Sequence, residues 1–494
     1  MRRPAYLCAP MAVFAAMLCA CADGSSASHA VPAAGASSGS GAGPQARGAR
    51  PDAVRRTLAL SACSSNGTGS FVGAAHDGGF AGGYDSVLVG GYRNNACGDE
   101  TSVVGGSNNL ISPGGAGGSF IGGGESNSID GGFGAWSAIG AGSGNAMSAA
   151  YGFIGAGSNN QITADYSSVV AGLNNKTVAT ASFVGAGAGN NITLGAWYGV
   201  IGGGRGNTVS GYYDDAIVAG SQNSATGGDE FVGGGYKNSV SADDAAIVGG
   251  TTNSVTAQYG FIGAGTNNTV SGAGAYIASG GYNTASGEGA VVDGGYLQTA
   301  SGAFATVPGG YENVASGTYS FAAGARAQAQ QTGTFVWSDG SDGTAFLKSS
   351  RAYQFLARAS GGFTLYTNPG STVGAQLGAG SGTWASLSDR NAKTDIVPLD
   401  ERSVLEKLAS LPISRWSYRT EQGVRHVGPM AQDFYAAFKV GGDDKHITSI
   451  DEDGVALAGV KALHARVRAL DAQNREMRAE LRELRAEVRA LRER

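Results

Sequence analysis

Charge, proline and histidine are all scarce in this chain. Only 14% of its 494 residues are charged, 33 of them basic and 38 acidic, for a net charge of −5. That is well below the usual quarter or so, and it argues against nucleic-acid binding through a basic patch. The five histidines (His29, His76, His426, His446 and His464) are scattered, so neither a His-built metal site nor a cofactor is expected. With 11 prolines and no Gly-X-Y period, the 85 glycines do not make a collagen. No apolar run reaches the roughly 20 residues of a mature membrane span. Hydrophobic residues still make up 42%, too many for a simply disordered chain.

What is present is unevenly spread. Residues 388–494 hold 19 Lys/Arg and 18 Asp/Glu but only 6 glycines, and the other 79 glycines come earlier. Two physically different segments therefore meet near residue 387. The N-terminus reads as an export signal over 1–21: Arg2-Arg3, an apolar stretch Met11–Ala20, then small residues. Leu18-Cys19-Ala20-Cys21 resembles a lipobox, which would make Cys21 a lipidated first residue, and Ala20-Cys21-Ala22 also fits ordinary small-residue cleavage. Either way the mature chain is expected outside the cytoplasm, at a bacterial surface or beyond it. Its only membrane contact would be that lipid anchor. Residues 22–69 read as a flexible Ser/Ala/Gly-rich tether. Cys63 and Cys97 either pair in an oxidising compartment or remain free thiols.

The middle of the chain repeats every 15 residues. Stepping from Asn223 gives Asn238, Asn253, Asn268, Asn283, Gln298 and Asn313. Six residues before each lies a β-branched aliphatic: Ile217, Val232, Ile247, Ile262, Ile277, Val292 and Val307. Three before each lies a glycine, from Gly220 to Gly310, and two after lies Ala or Val. The pattern extends back to Asn94 with steps of 15 to 18, which imply insertions in the turns. A coil of 15 residues holds two short strands and two turns. Stacked coils place equivalent residues about 4.8 Å apart. The aliphatic column then forms the core, glycine serves a turn with positive φ or a close approach, and asparagine forms an amide ladder or caps turns. Identical charges stacked at that spacing would repel, which accounts for their scarcity.

The stretch Tyr259-Gly260-Phe261-Ile262-Gly263-Ala264-Gly265-Thr266-Asn267-Asn268-Thr269-Val270-Ser271-Gly272 resembles the head repeats of YadA-like trimeric adhesins, over roughly 70–325. The resemblance implies a left-handed parallel β-roll, packed as a homotrimer, with adhesion to a host-surface glycan or matrix protein. The chain departs from those adhesins in carrying a different C-terminal segment from their membrane barrel. Residues 326–387 are expected to be a β-rich cap, with strands in Thr334–Trp337, Tyr353–Arg358 and Gly361–Tyr366. Asp339 and Asp342 there belong to a turn, since the pattern of a calcium loop is not met.

Residues 388–494 carry Ser388-Asp389-Arg390-Asn391-Ala392-Lys393, then Gly428-Pro429-Met430-Ala431-Gln432-Asp433, then a charged helical end. This set resembles the intramolecular chaperone of phage endosialidases and tail spikes, the peptidase S74 family. The resemblance implies an α+β domain that helps the upstream β-structure to trimerise and then cuts itself off between Leu387 and Ser388. It makes Ser388 the nucleophile and Lys393 the general base. A serine hydroxyl needs such a base, and a lysine serves once burial lowers its pKa. His426 is given no part in the dyad.

Val460, Leu463, Val467, Leu470, Asn474, Met477, Leu481, Leu484, Val488 and Leu491 step by threes and fours, which predicts a parallel coiled coil over 456–494 with Asn474 fixing register. The fold expected is mainly β, a solenoid followed by this chaperone. The function expected is that of an exported trimeric fibre. The alternative is a tail-spike-like fibre that binds or hydrolyses glycans. That alternative needs paired carboxylates, whereas Asp243, Asp244, Asp293 and Glu312 sit in irregular turn positions.

Overall fold

The computed structural model describes residues 63–114, 116–130 and 136–493. The export signal, Cys21 and most of the tether lie outside the described residues. Each 15-residue repeat forms one coil with two strands, usually two residues each. One parallel ladder runs from Phe71–Asp77 to Phe355–Arg358, and the other from Phe80–Ala81 to Leu347–Lys348. Pairing is in register throughout the regular part, as in Ala216, Phe231, Ala246 and Phe261 on one side and Ser224, Ser239, Ser254 and Thr269 on the other. The fold of this part is thus a mainly-β parallel solenoid, as the period predicts. A disulfide joins Cys63 to Cys97 across its first coils, with Cα atoms 5.5 Å apart.

The columns explain why these residues coil. Ile217, Val232, Ile247 and Ile262 are fully buried, as are Ala225, Val240, Val255 and Val270 on the facing ladder. Two aliphatic columns packed across the solenoid make a thin but continuous core. Burial of each Val or Ile contributes about 1.5–3 kcal/mol.

The glycine column answers to both of its expected reasons. Gly250 has φ of +99°, and a Cβ on it would lie 2.2 Å from the carbonyl oxygen of Gly265 in the next coil. The asparagines form a buried amide ladder. The Asn253 amide N–H donates to Asn238 Oδ1 at 3.0 Å, and its own Oδ1 accepts from the Asn268 N–H at 3.0 Å. Its Nδ2 donates to the Gly249 and Gly265 carbonyls, both at 3.0 Å. Each side chain so satisfies the turn carbonyls and hands its oxygen to the next coil, which is what a buried polar group requires.

Beyond the parallel ladders comes a three-stranded antiparallel sheet of Gly362–Tyr366, Gly374–Gly378 and Trp384–Ser386. Asp339 and Asp342 both pair with Arg358. The rest of the chain is a single 3-10 turn (Arg390–Ala392), helix α1 (Glu401–Ser410), a hairpin of Ser414–Trp416 and His426–Gly428, helix α2 (Ala431–Phe438) and helix α3 (Ser449–Arg492). Asp400 caps α1 through the Arg402 and Ser403 amides, and Thr448 caps α3 through Asp451. Val404, Phe434 and Val455 form a small core, and Lys461 of α3 pairs with Glu401 of α1. Among the described residues no helix is long and apolar enough to cross a membrane.

Candidate autoprocessing site

The chain leaves the antiparallel sheet at Ser386 and reaches Leu387, whose N–H donates to the Gly374 carbonyl at 3.4 Å. A tight reversal follows. Asp389 is extended and its carboxylate accepts from the Asn391 N–H at 2.9 Å and from Asn391 Nδ2 at 3.2 Å. The Ala392 N–H then donates to the Asp389 carbonyl at 3.1 Å, and the Lys393 N–H to the Arg390 carbonyl at 3.2 Å. One 3-10 turn so carries residue 393 back over residue 388. Lys393 Nζ donates to Ser388 Oγ at 2.7 Å. The two residues singled out in the sequence are brought together, directly beside the Leu387–Ser388 bond.

The Leu387–Ser388 bond borders a cleft of about 270 Å³, lined by Thr364, Tyr366, Gly374, Gln376, Leu387 and Ser388. Ser388 and Lys393 are both exposed in the single chain. A lysine that accepts a serine proton must first lose its own, and burial favours that loss. His426 is elsewhere employed: it stacks on Trp416 with centroids 4.7 Å apart, and its Nε2 lies 3.2 Å from Glu421 Oε2. Among the described residues no group of three or more His, Cys, Asp or Glu side chains is placed to hold a metal ion.

The predicted seam lies along α3. Val460, Leu463, Val467, Leu470, Asn474, Met477, Leu481, Leu484, Val488 and Leu491 are all exposed, although nine of the ten are apolar. A second apolar surface was not expected from the sequence. It is the outer face of the ladder that carries Phe120, Phe153, Phe183 and Phe231. Each of these rings lies over the glycine two residues on, Gly122, Gly155, Gly185 and Gly233, at 3.3–3.4 Å from where a Cβ would stand. Where the first position is small, at Ser168, Ala216 and Ala246, the third holds Val170, Val218 or Val248, each about half exposed. Rings and valines so cover much of this face between Phe153 and Phe261, while Ala138 with Gly140 on one side and Asp293 on the other depart from the pattern. The signal was available as a covariation of Phe-x-Gly with small-x-Val within the repeat.

A buried pair of acids was also missed. Asp215 and Glu230 occupy the position just before the first strand of two successive coils, and they are 0% and 1% exposed. The Glu230 N–H donates to Asp215 Oδ1 at 3.0 Å. Burial pushes the Asp215 carboxyl up to about 6, and it pushes Glu230 up to about 7 with the Asp215 charge adding to the effect. Asp244 is instead exposed on a turn, and Glu312 is paired with Arg326 at 2.7 Å.

Two family models match parts of the chain. A model described as the chaperone of endosialidase matches residues 388–442, and one described as the grass antifreeze β-roll matches residues 225–324. No curated protein matches the chain. The chain is therefore similar to a β-roll through the regular coils, and to the endosialidase chaperone from Ser388 through the turn, α1, the hairpin and α2.

Proposed function

We propose that this protein is an exported homotrimeric fibre, adhesin-like in its solenoid, whose C-terminal domain is an intramolecular assembly chaperone that severs itself at Leu387–Ser388. The observation that carries the reading is the 2.7 Å contact between Lys393 Nζ and Ser388 Oγ at the first residue of the chaperone-like region. Lys393, as the free amine, takes the Ser388 hydroxyl proton. Oγ attacks the Leu387 carbonyl carbon, the C–N bond breaks, and the Ser388 nitrogen leaves with a proton returned from Lys393. The resulting ester between Leu387 and Ser388 Oγ is hydrolysed by water to a Leu387 carboxylate and a free Ser388.

Exposure of the dyad in one chain fits a cut that waits for neighbours to cover Lys393. Two apolar surfaces without a partner, on α3 and on the solenoid, support self-association; the spacing on α3 fits a parallel bundle. The Cys63–Cys97 disulfide supports an oxidising compartment, and so export. The adhesive partner, a glycan or matrix protein, rests on the resemblance to adhesin heads. A glycan-hydrolysing fibre is disfavoured at Asp215 and Glu230, because buried carboxyls cannot reach a substrate.

The test is intact-mass analysis and an SDS gel of the purified protein. A C-terminal fragment beginning at Ser388 and an SDS-resistant head are expected. The Ser388→Ala variant is expected to stay at full length and still form trimers. Scission at the same bond in that variant would sink the dyad.

A further inference from the structure

Asp215 and Glu230 stand in a column that otherwise asks for a hydrogen-bond donor or nothing. The hydroxyls of Ser70, Ser86, Thr101, Ser182 and Thr334, all in this column, each donate to the carbonyl three residues back at 2.7–2.9 Å. Ser137 and Ser167 donate to carbonyls of the following coil at 2.8 and 2.9 Å. Elsewhere the column holds Gly or Ala, as at Gly199 and Ala245 on either side of the pair, and two further serines, Ser119 and Ser320, of which Ser320 Oγ is buried and finds no partner among the described residues. An ionised carboxylate has no proton to donate, whereas a protonated carboxyl does. Asp215 Oδ2 and both Glu230 carboxylate oxygens are buried and find no hydrogen-bond partner among the described residues.

We propose that Asp215 and Glu230 are a proton-holding pair, which keeps the coils of residues 211–245 closed while the carboxyls carry their protons and loosens them when the protons leave. No basic side chain faces the pair, and nearby backbone groups, Gly211 at Asp215 and Gly227 at Glu230, favour the charged forms less than burial opposes them. Asp214 and Asp229 flank the pair on its own coils, Asp243 and Asp244 follow on the next, and Trp197 and Tyr198 precede it. Arg205 and Lys237, the basic residues of these coils, lie in the turn at the other end of the strands. Both carboxyls titrate above their ordinary range near 4, at about 6 and about 7, because burial penalises the charge. For acids raised in this way, the stability is full below about pH 4 and is lost as pH rises through 6 to 7. Loosening is therefore an alkaline response, confined to the middle of the solenoid.

The test is hydrogen exchange read by mass spectrometry on the full chain between pH 5 and 8.5, corrected for the intrinsic pH dependence of exchange. Peptides from 211–245 are compared with peptides from 246–285. In the natural protein the opening equilibrium of 211–245 is expected to rise across that range, by roughly tenfold from Asp215 and by up to roughly a hundredfold from Glu230, while 246–285 stays flat. The Asp215→Ser/Glu230→Ser double variant restores the column's own donor and is expected to be flat in both regions. The Asp215→Asn/Glu230→Gln pair, which cannot ionise, gives the same reading if the serine variant folds poorly. A flat profile in the natural protein, or an unchanged slope in the neutral variants, overturns the proposal.

Discussion

Replacing Asn253 by alanine tests the account of how the coils are joined. The change empties one rung of the amide ladder. The Asn268 N–H loses its acceptor, and the Gly249 and Gly265 carbonyls lose the Nδ2 donor, all of them bonds of 3.0 Å. Asn253 and Asn268 are at most 1% exposed, so the rung lies out of reach of bulk water. Three lost bonds at about 1–1.5 kcal/mol each give a local loss of about 3–4.5 kcal/mol, with further cost if the orphaned groups stay dry. Because each coil touches only its neighbours, this loss is expected to concentrate in the coils spanning 239–283. The assay is native-state hydrogen exchange, with Thr252→Ala as the control. Thr252 is exposed on the neighbouring turn position, and its truncation is expected to fall within about 0.5 kcal/mol. If Asn253→Ala is as mild as that control, the ladder is not what holds successive coils together, and the reasoning fails.

Two more predictions follow from packing. Gly250→Ala puts a Cβ 2.2 Å from the Gly265 carbonyl at a φ of +99°, so a loss of at least about 2 kcal/mol is expected, visible as new protease cleavage between 247 and 268. A variant that resists protease as well as the natural chain would contradict it. Leu481→Glu falls on an exposed part of α3, far along the helix from Val455 and the small core. It is expected to leave the C-terminal domain folded by circular dichroism and to abolish trimers in sedimentation, removing about 2 kcal/mol of apolar burial per chain. Unchanged trimers would take the seam off α3.

Much of the solenoid was legible because every column is written at fixed spacing and each residue type has one physical reason to be there. Isoleucine, glycine and asparagine at Ile247, Gly250 and Asn253 take the core, the positive-φ turn and the amide ladder respectively. The closeness of Ser388 and Lys393 was legible for a different reason, through likeness to a known domain. Spacing alone did not reveal that Asp389 caps the turn that returns Lys393 to Ser388. Asp215 and Glu230 escaped notice because they occupy a column otherwise filled by Ser, Thr, Ala and Gly, a tolerance that hides its requirement. Helix α3 begins at Ser449, before the expected start of the coiled coil at 456, and runs through Gly454 and Gly459, both poor helix formers. Gly459 is there to make room: a Cβ would lie 2.4 Å from Leu408 Cδ1 on α1.

The ring-over-glycine pattern bears on how such a molecule changes its length. Because Phe231 reaches over Gly233 in one coil and Val248 stands two residues on from Ala246 in the next, these neighbouring coils both present apolar side chains on this face. A whole coil inserted or removed would then shift the distal part by about 4.8 Å and leave that face apolar. A single residue gained or lost within a strand would turn every following side chain to the opposite face. The solenoid thus has a reading frame of its own, 15 residues wide in its regular part, and its reach can change only in whole steps of that frame.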